Sequence, residues 1–259
     1  MNARRTAAVG GALGAAAVAT LVVEAAWVVR RPLPALEGHD ASLRLGPNDT
    51  APIRLVVLGD STTTGPGLAG PEQIWLHRAL AQLDLDAGVD VRSLAVGGSR
   101  VADVLGRLPD VWELEPDAVV VAVGSNDAIH GTPLRRFARD LEVLVAELTA
   151  RVPAVAITNI GDLGNLERVP PPLTTVLRTR SRLISRRIEA VVTEHPEAIL
   201  IDVTAVDGEF RRGGVFGPDL FHPNEVGHEL WASAAVPGLV ELLDRAVGRT
   251  PISVGRGPR

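Results

Sequence analysis

Four short groups of residues carry side chains that do chemistry. Ser61 follows Gly59-Asp60 at the end of the apolar run "IRLVVLGDSTTTGPG". Gly97 and Gly98 sit in "VGGSR", Asn126 in Gly124-Ser125-Asn126-Asp127, and Asp219 lies three residues before His222 in "PDLFHPNEVGHELWA". A serine hydroxyl beside an imidazole, with a carboxylate to orient the ring and amide donors for a developing oxyanion, is the equipment of acyl transfer. Glycine lets an amide approach a substrate oxygen without a Cβ in the way. Asn126 offers a neutral donor. The three threonines after Ser61 admit a competing chemistry, a loop of hydroxyls and amides that cradles a phosphate.

Composition removes many alternatives. The chain has 259 residues, no Cys and no Tyr, and all 26 basic residues are Arg. Disulfides, thiol nucleophiles, thiolate metal sites, Schiff bases, phosphate-loop lysines and phenolic acids are thereby excluded. No second histidine has metal-ligand spacing to Asp219 and His222, so neither metal nor cofactor is expected. A net charge of -5 speaks against a nucleic-acid partner.

The elements that must position these groups follow from periodicity. β-branched apolar runs at 53–58, 89–96, 118–123, 153–160 and 198–203 alternate with helical stretches near 72–86, 99–108, 133–150, 173–195 and 224–246. Pro71, Pro133, Pro172 and Pro223 stand where first helical turns would begin. This alternation predicts a three-layer α/β/α fold around a parallel sheet of about five strands. In such a sheet the loops leaving the strand ends open on one edge, where ligands bind. Each chemical group above follows one of those strands. Pro223 at a first helical position would put His222 at the N-cap of the last helix, where the helix dipole opposes its protonation while Asp219 favours it.

Residues 1–31 stand apart. Arg4 and Arg5 precede a 24-residue apolar stretch with one acid, Glu24, and Arg30–Arg31 follow it. The stretch is long enough to span a bilayer and is expected to be an uncleaved anchor, with a signal peptide cut after Ala19 and a buried N-terminal helix of the domain as the alternatives. Residues 32–52 read as a linker, 53–247 as the folded domain, and 248–259 as a disordered tail.

Taken together, the four blocks resemble the SGNH (GDSL-type) hydrolase superfamily, with G-D-S, a glycine block, G-x-N-D and D-x-x-H in order over residues 53 to about 245. Two positions depart from its usual pattern: Thr62 where leucine is usual after the serine, and Ser93 where the second block usually has asparagine. The resemblance implies a flavodoxin-like SGNH fold and an esterase or lipase that forms an acyl-enzyme. It implies Ser61 as nucleophile, His222 as base and Asp219 as the residue that holds the imidazole. The oxyanion hole would be the N–H groups of Ser61 and Gly98 with the Asn126 amide; Gly97 is a second candidate for the glycine donor. Asp60 and Asp127 are expected to organise their loops, His228 to be structural, and Trp75, Trp112 and Trp231 to be core. Arg211 and Arg212 are read as solvated loop charges near the site. The expected substrates are acyl or acetyl esters of lipids or glycans, met outside the cytoplasm. A flavodoxin-like FMN-binding module and a catalytically inactive SGNH-like binding domain are the rival readings. No G-x-S-x-G occurs, which excludes a classical nucleophile elbow.

Overall fold

The computed structural model describes residues 16–248, apart from positions 17, 29 and 50. The tail beyond 248 and residues 1–15 lie outside the described residues. A six-stranded sheet is built from β1 (Leu43–Leu45), β2 (Ile53–Gly59), β3 (Val89–Ser93), β4 (Ala118–Ala122), β5 (Ala154–Thr158) and β6 (Ala198–Ile201). Their order is β1-β3-β2-β4-β5-β6, and all neighbours are parallel except β1, which runs antiparallel to β3. The expected five-stranded parallel sheet is present with one added edge strand. That strand comes from the segment read as a linker, whose Ala41 is also buried in the core.

Alternation along the buried strands divides the core. Leu55 and Val57 of β2, with Ala118, Val120 and Ala122 of β4, face one cluster. Val56, Leu58, Val119 and Val121 face the other. Helices α2 (Trp75–Ala81) and α9 (Glu225–Ala246) cover the first face. The second is covered by α3 (Val101–Leu105), α4 (Leu108–Glu113), α6 (Leu134–Thr149) and α7 (Leu173–Glu194). The short elements α1 (Ser61–Thr64), α5 (Ser125–Ile129) and α8 (Asp207–Phe210) lie at strand exits. The alanines of β4 and β5 leave room for α9 to approach closely.

The layout decides where a site can form. The chain leaves β2 toward β3 on one side and leaves β4 toward β5 on the other, with the following helices α2 and α6 on opposite faces. Loops that part in this way open a crevice between the tips of β2 and β4, the usual ligand position in an open α/β sheet. Gly59 pairs with Ala122 at that point, so Ser61 and Asn126 emerge beside the crevice. At the N-terminus, helical residues 18–28 are tied to the body: Leu173 N–H donates to Glu24 at 3.0 Å, and the Arg168 guanidinium donates to the Val28 carbonyl at 3.0 Å.

Gly59 has no room for a side chain. A Cβ there would press on the Thr63 side chain and come within 2.8 Å of the Ala122 carbonyl oxygen. Gly59→Ala is therefore expected to destabilise the fold by roughly 1–3 kcal/mol in chemical denaturation; an unchanged midpoint would contradict this packing.

Candidate active site

Ser61 opens the one-turn helix α1. Asp60 caps it, accepting the Thr62 N–H on Oδ1 at 2.9 Å, and Gly65 closes it in the left-handed region (φ 55°) with its N–H donated to the Ser61 carbonyl. The threonine row has a structural explanation. Thr63 and Thr64 are buried, and the Thr63 hydroxyl donates to the Asp60 carbonyl at 2.8 Å. At least one hydroxyl of that row is thus spent on holding the turn.

Asp60 is almost completely buried and joins two loops. Besides capping α1, its Oδ2 accepts the Asn126 side-chain amide at 3.1 Å. Burial pushes its pKa up to about 6, against the opposing pull of the Thr62 and Asn126 hydrogen bonds and of His222 nearby. The second amide hydrogen of Asn126 is directed to the Ser99 carbonyl at 3.2 Å. Service to a substrate oxygen therefore requires Asn126 to share one of these donors. Asp127, next in sequence, accepts the Val101 N–H at the start of α3, a loop-organising role, and burial raises its pKa.

The glycine block lies beside Ser61. A Cβ built on Gly97 would stand 3.9 Å from that of Ser61, and one on Gly98 would meet nothing within 4 Å. Gly98 adopts φ 82°, a conformation that glycine takes readily and other residues seldom do. The Gly98 N–H belongs to the peptide between the two glycines, so neither flank carries a side chain.

Asp219 and His222 are joined within one tight turn. The imidazole Nδ1 lies 2.6 Å from Asp219 Oδ2, while Oδ1 accepts the N–H groups of Phe221 (3.1 Å) and His222 (3.0 Å). Leu220 takes φ 57° to allow this. With Nδ1–H given to the carboxylate, Nε2 is the nitrogen left to accept a proton. The helix placement differs from expectation: α9 is capped by Asn224, whose side chain accepts from Val226 and Gly227, two residues beyond His222. Pro223 instead bridges antiparallel to Phe216. The imidazole therefore does not cap the helix, and the expected dipole effect on it loses its basis.

Ser61, Asn126 and His222 line two adjoining basins. One is an open basin of about 710 Å³ that also contains Gly97, Gly98, His39 and Asp40. The other is a narrow cavity of about 60 Å³ whose wall includes Phe210, Phe216, Phe221 and Trp231. The sequence-predicted site residues Ser61, Gly98, Asn126 and His222 thus share one cleft, with buried Asp219 behind the histidine. Sequence reading missed His39 and Asp40, which sit in a segment without periodicity, and assigned Trp231 to the core alone. Arg211 and Arg212 are exposed, Arg212 lies 3.5 Å from Glu209, and neither lines the cleft. His228 is buried, accepts the Trp75 N–H, and has its pKa lowered to about 3 by burial, which marks it as structural.

Comparison with known proteins bears on family and fold. The GDSL-like lipase/acylhydrolase family is matched over residues 57–230. A GDSL-like esterase of Mycobacterium tuberculosis is 27% identical over 214 residues, covering 78% of this chain and 68% of its own length. Among solved structures, a psychrotrophic esterase of Pseudoalteromonas sp. is similar with a TM-score of 0.58 and 20% identity, over 74% of this chain and 99% of that one. An acetylxylan esterase of Geobacillus stearothermophilus is similar with a TM-score of 0.56 and 21% identity, over 78% of this chain and 97% of that one. These two likenesses are of fold.

The burial of Asp60 has a measurable consequence. From about pH 4 to 6 the unfolded chain has released this proton while the native state keeps it, so the contribution of Asp60 to stability falls as pH rises through that window. Asp60→Asn removes the titration. Between pH 4 and 7 the unfolding free energy of the variant should gain on the wild type by up to about 3 kcal/mol. Urea titrations at the two pH values test this, and parallel behaviour of the two proteins would contradict it.

Proposed function

The chain belongs to the GDSL-like lipase/acylhydrolase family and is a carboxylic ester hydrolase, and from that premise we propose that it works through a Ser61–His222–Asp219 triad and a covalent acyl-enzyme. The observation that carries this reading is the 2.6 Å Asp219–His222 hydrogen bond in a cleft that Ser61 also lines.

In the proposed cycle the Ser61 hydroxyl attacks the ester carbonyl while His222 Nε2 takes its proton. Asp219 fixes the tautomer and stabilises the imidazolium. The tetrahedral oxyanion receives the N–H groups of Ser61 and Gly98 and a shared N–H of Asn126. The C–O bond to the alcohol then breaks, and the alcohol leaves with the proton from His222. Water attacks the acyl-enzyme, gives its proton to His222, and the acid departs as Ser61 regains that proton. The substrates of this reading are acyl or acetyl esters of lipids or glycans.

Placement outside the cytoplasm, anchored or secreted, belongs to the same proposal. Support comes from the arginine-flanked apolar stretch and from the exposure of Val18, Val22, Val23 and Trp27 on its helical part. Among the described residues no helix is long and apolar enough to cross a membrane.

Hydrolysis of p-nitrophenyl acetate tests the chemistry. Ser61→Ala should abolish turnover, and His222→Ala should lower kcat by at least ~10³. Asn126→Ala should cost about 10²–10³ in kcat with little change in KM. Equal rates for wild type and Ser61→Ala would refute the triad.

A further inference from the structure

The two basins beside Ser61 differ in size and in chemistry. Of the chain's four Phe and four Trp, Phe210, Phe216, Phe221 and Trp231 gather around the narrow cavity. Phe210 stacks on Trp231 at 5.3 Å between centroids, Phe216 meets Phe210 edge-on at 5.8 Å, and Phe221 meets the His222 ring edge-on at 4.8 Å. Leu166, buried in its own small apolar cluster, closes another side. Two carboxyls also reach the wall, but both are engaged with the protein. Asp162 accepts Arg178 Nε and the Gly164 N–H, and Asp207 accepts the Asp162 N–H. The cavity is therefore an aromatic and aliphatic pocket beside the catalytic histidine.

Its size sets a limit. A water-sized group needs at least about 10–15 Å³ of such space, so about 60 Å³ holds roughly four or five groups of that size. The other basin is open, more than ten times larger, and lined by His39, Asp40 and Ser93 and the bare backbone of Gly97 and Gly98, with Leu36, Pro66 and Val96 between them. The polar groups suit a hydroxyl-rich alcohol, and the apolar side chains can meet its carbon skeleton.

An ester has two arms, and only one of them fits each basin. Resting on the acyl-enzyme reading above, we propose that the aromatic cavity is the acyl pocket, which accepts chains up to about four carbons beyond the carbonyl, and that the open basin takes a bulky hydroxylated alcohol. The substrate class is thus a short-acyl ester of a carbohydrate-like polyol and not a long-chain lipid ester.

Two substrate series on the full chain test this. Across p-nitrophenyl acetate, butyrate, octanoate and laurate, kcat/KM should peak at acetate or butyrate and fall at least ~10-fold by octanoate. Leu166→Ala should raise the octanoate-to-butyrate ratio by about 10-fold, and Phe216→Ala provides a second enlargement if the first variant folds poorly. With acetyl held constant, a glucose monoacetate should exceed octyl acetate by at least ~10-fold in kcat/KM. An optimum at octanoate or longer, an octanoate ratio indifferent to both variants, or a preference for octyl acetate would overturn the pocket assignment while leaving Ser61 chemistry standing. Absence of Ser61-dependent turnover on every ester would overturn both readings.

Discussion

One buried carboxylate sets the geometry on which everything at the cleft depends. Asp60 caps the turn that presents Ser61 and holds the Asn126 amide with its other oxygen. The loop after β2 and the loop after β4 are thereby locked to each other through a group that water does not reach. Burying a carboxylate is costly unless it is hydrogen-bonded, and both oxygens of Asp60 are. The cost appears as a pKa pushed up to about 6.

The sheet supplies the rest. Because β2 and β4 are neighbours whose helices depart to opposite faces, a crevice opens where Ser61 and Asn126 emerge. The glycine block after β3 flanks it on one side, and the loops after β5 and β6 bring the aromatic wall and the Asp219–His222 turn on the other. Ser61 and Asn126 are thus tied together through Asp60, and His222 is tied to Asp219. The unlike basins follow from this arrangement: one lies over the bare glycine backbone, the other among side chains of the β5 and β6 loops.

Local signals read well and long-range ones did not. The five parallel strands were legible as short apolar runs, and Asp219 with His222 as a pair because three residues span a single turn. Ser61, the proposed nucleophile, stood out at a strand tip for the same local reason. The edge strand β1 was hidden because three residues of mixed exposure carry no detectable period. The cap of α9 was placed two residues early because Pro223 satisfies a rule for first helical positions, yet Pro223 is held in extended form by a bridge to Phe216. The Asp60–Asn126 bond spans 66 residues, and the aromatic pocket draws on α8, the loop after it and α9. No windowed pattern reports either.

The central claim is that Ser61 is the residue which carries the acyl group. A fluorophosphonate probe, which bonds covalently to an activated serine, tests it directly when the full chain is labelled and mapped by mass spectrometry. The account predicts a single adduct, on the peptide that contains Ser61, formed far more slowly in His222→Ala and absent in Ser61→Ala. An adduct on another residue, or equal labelling of wild type and Ser61→Ala, would contradict it.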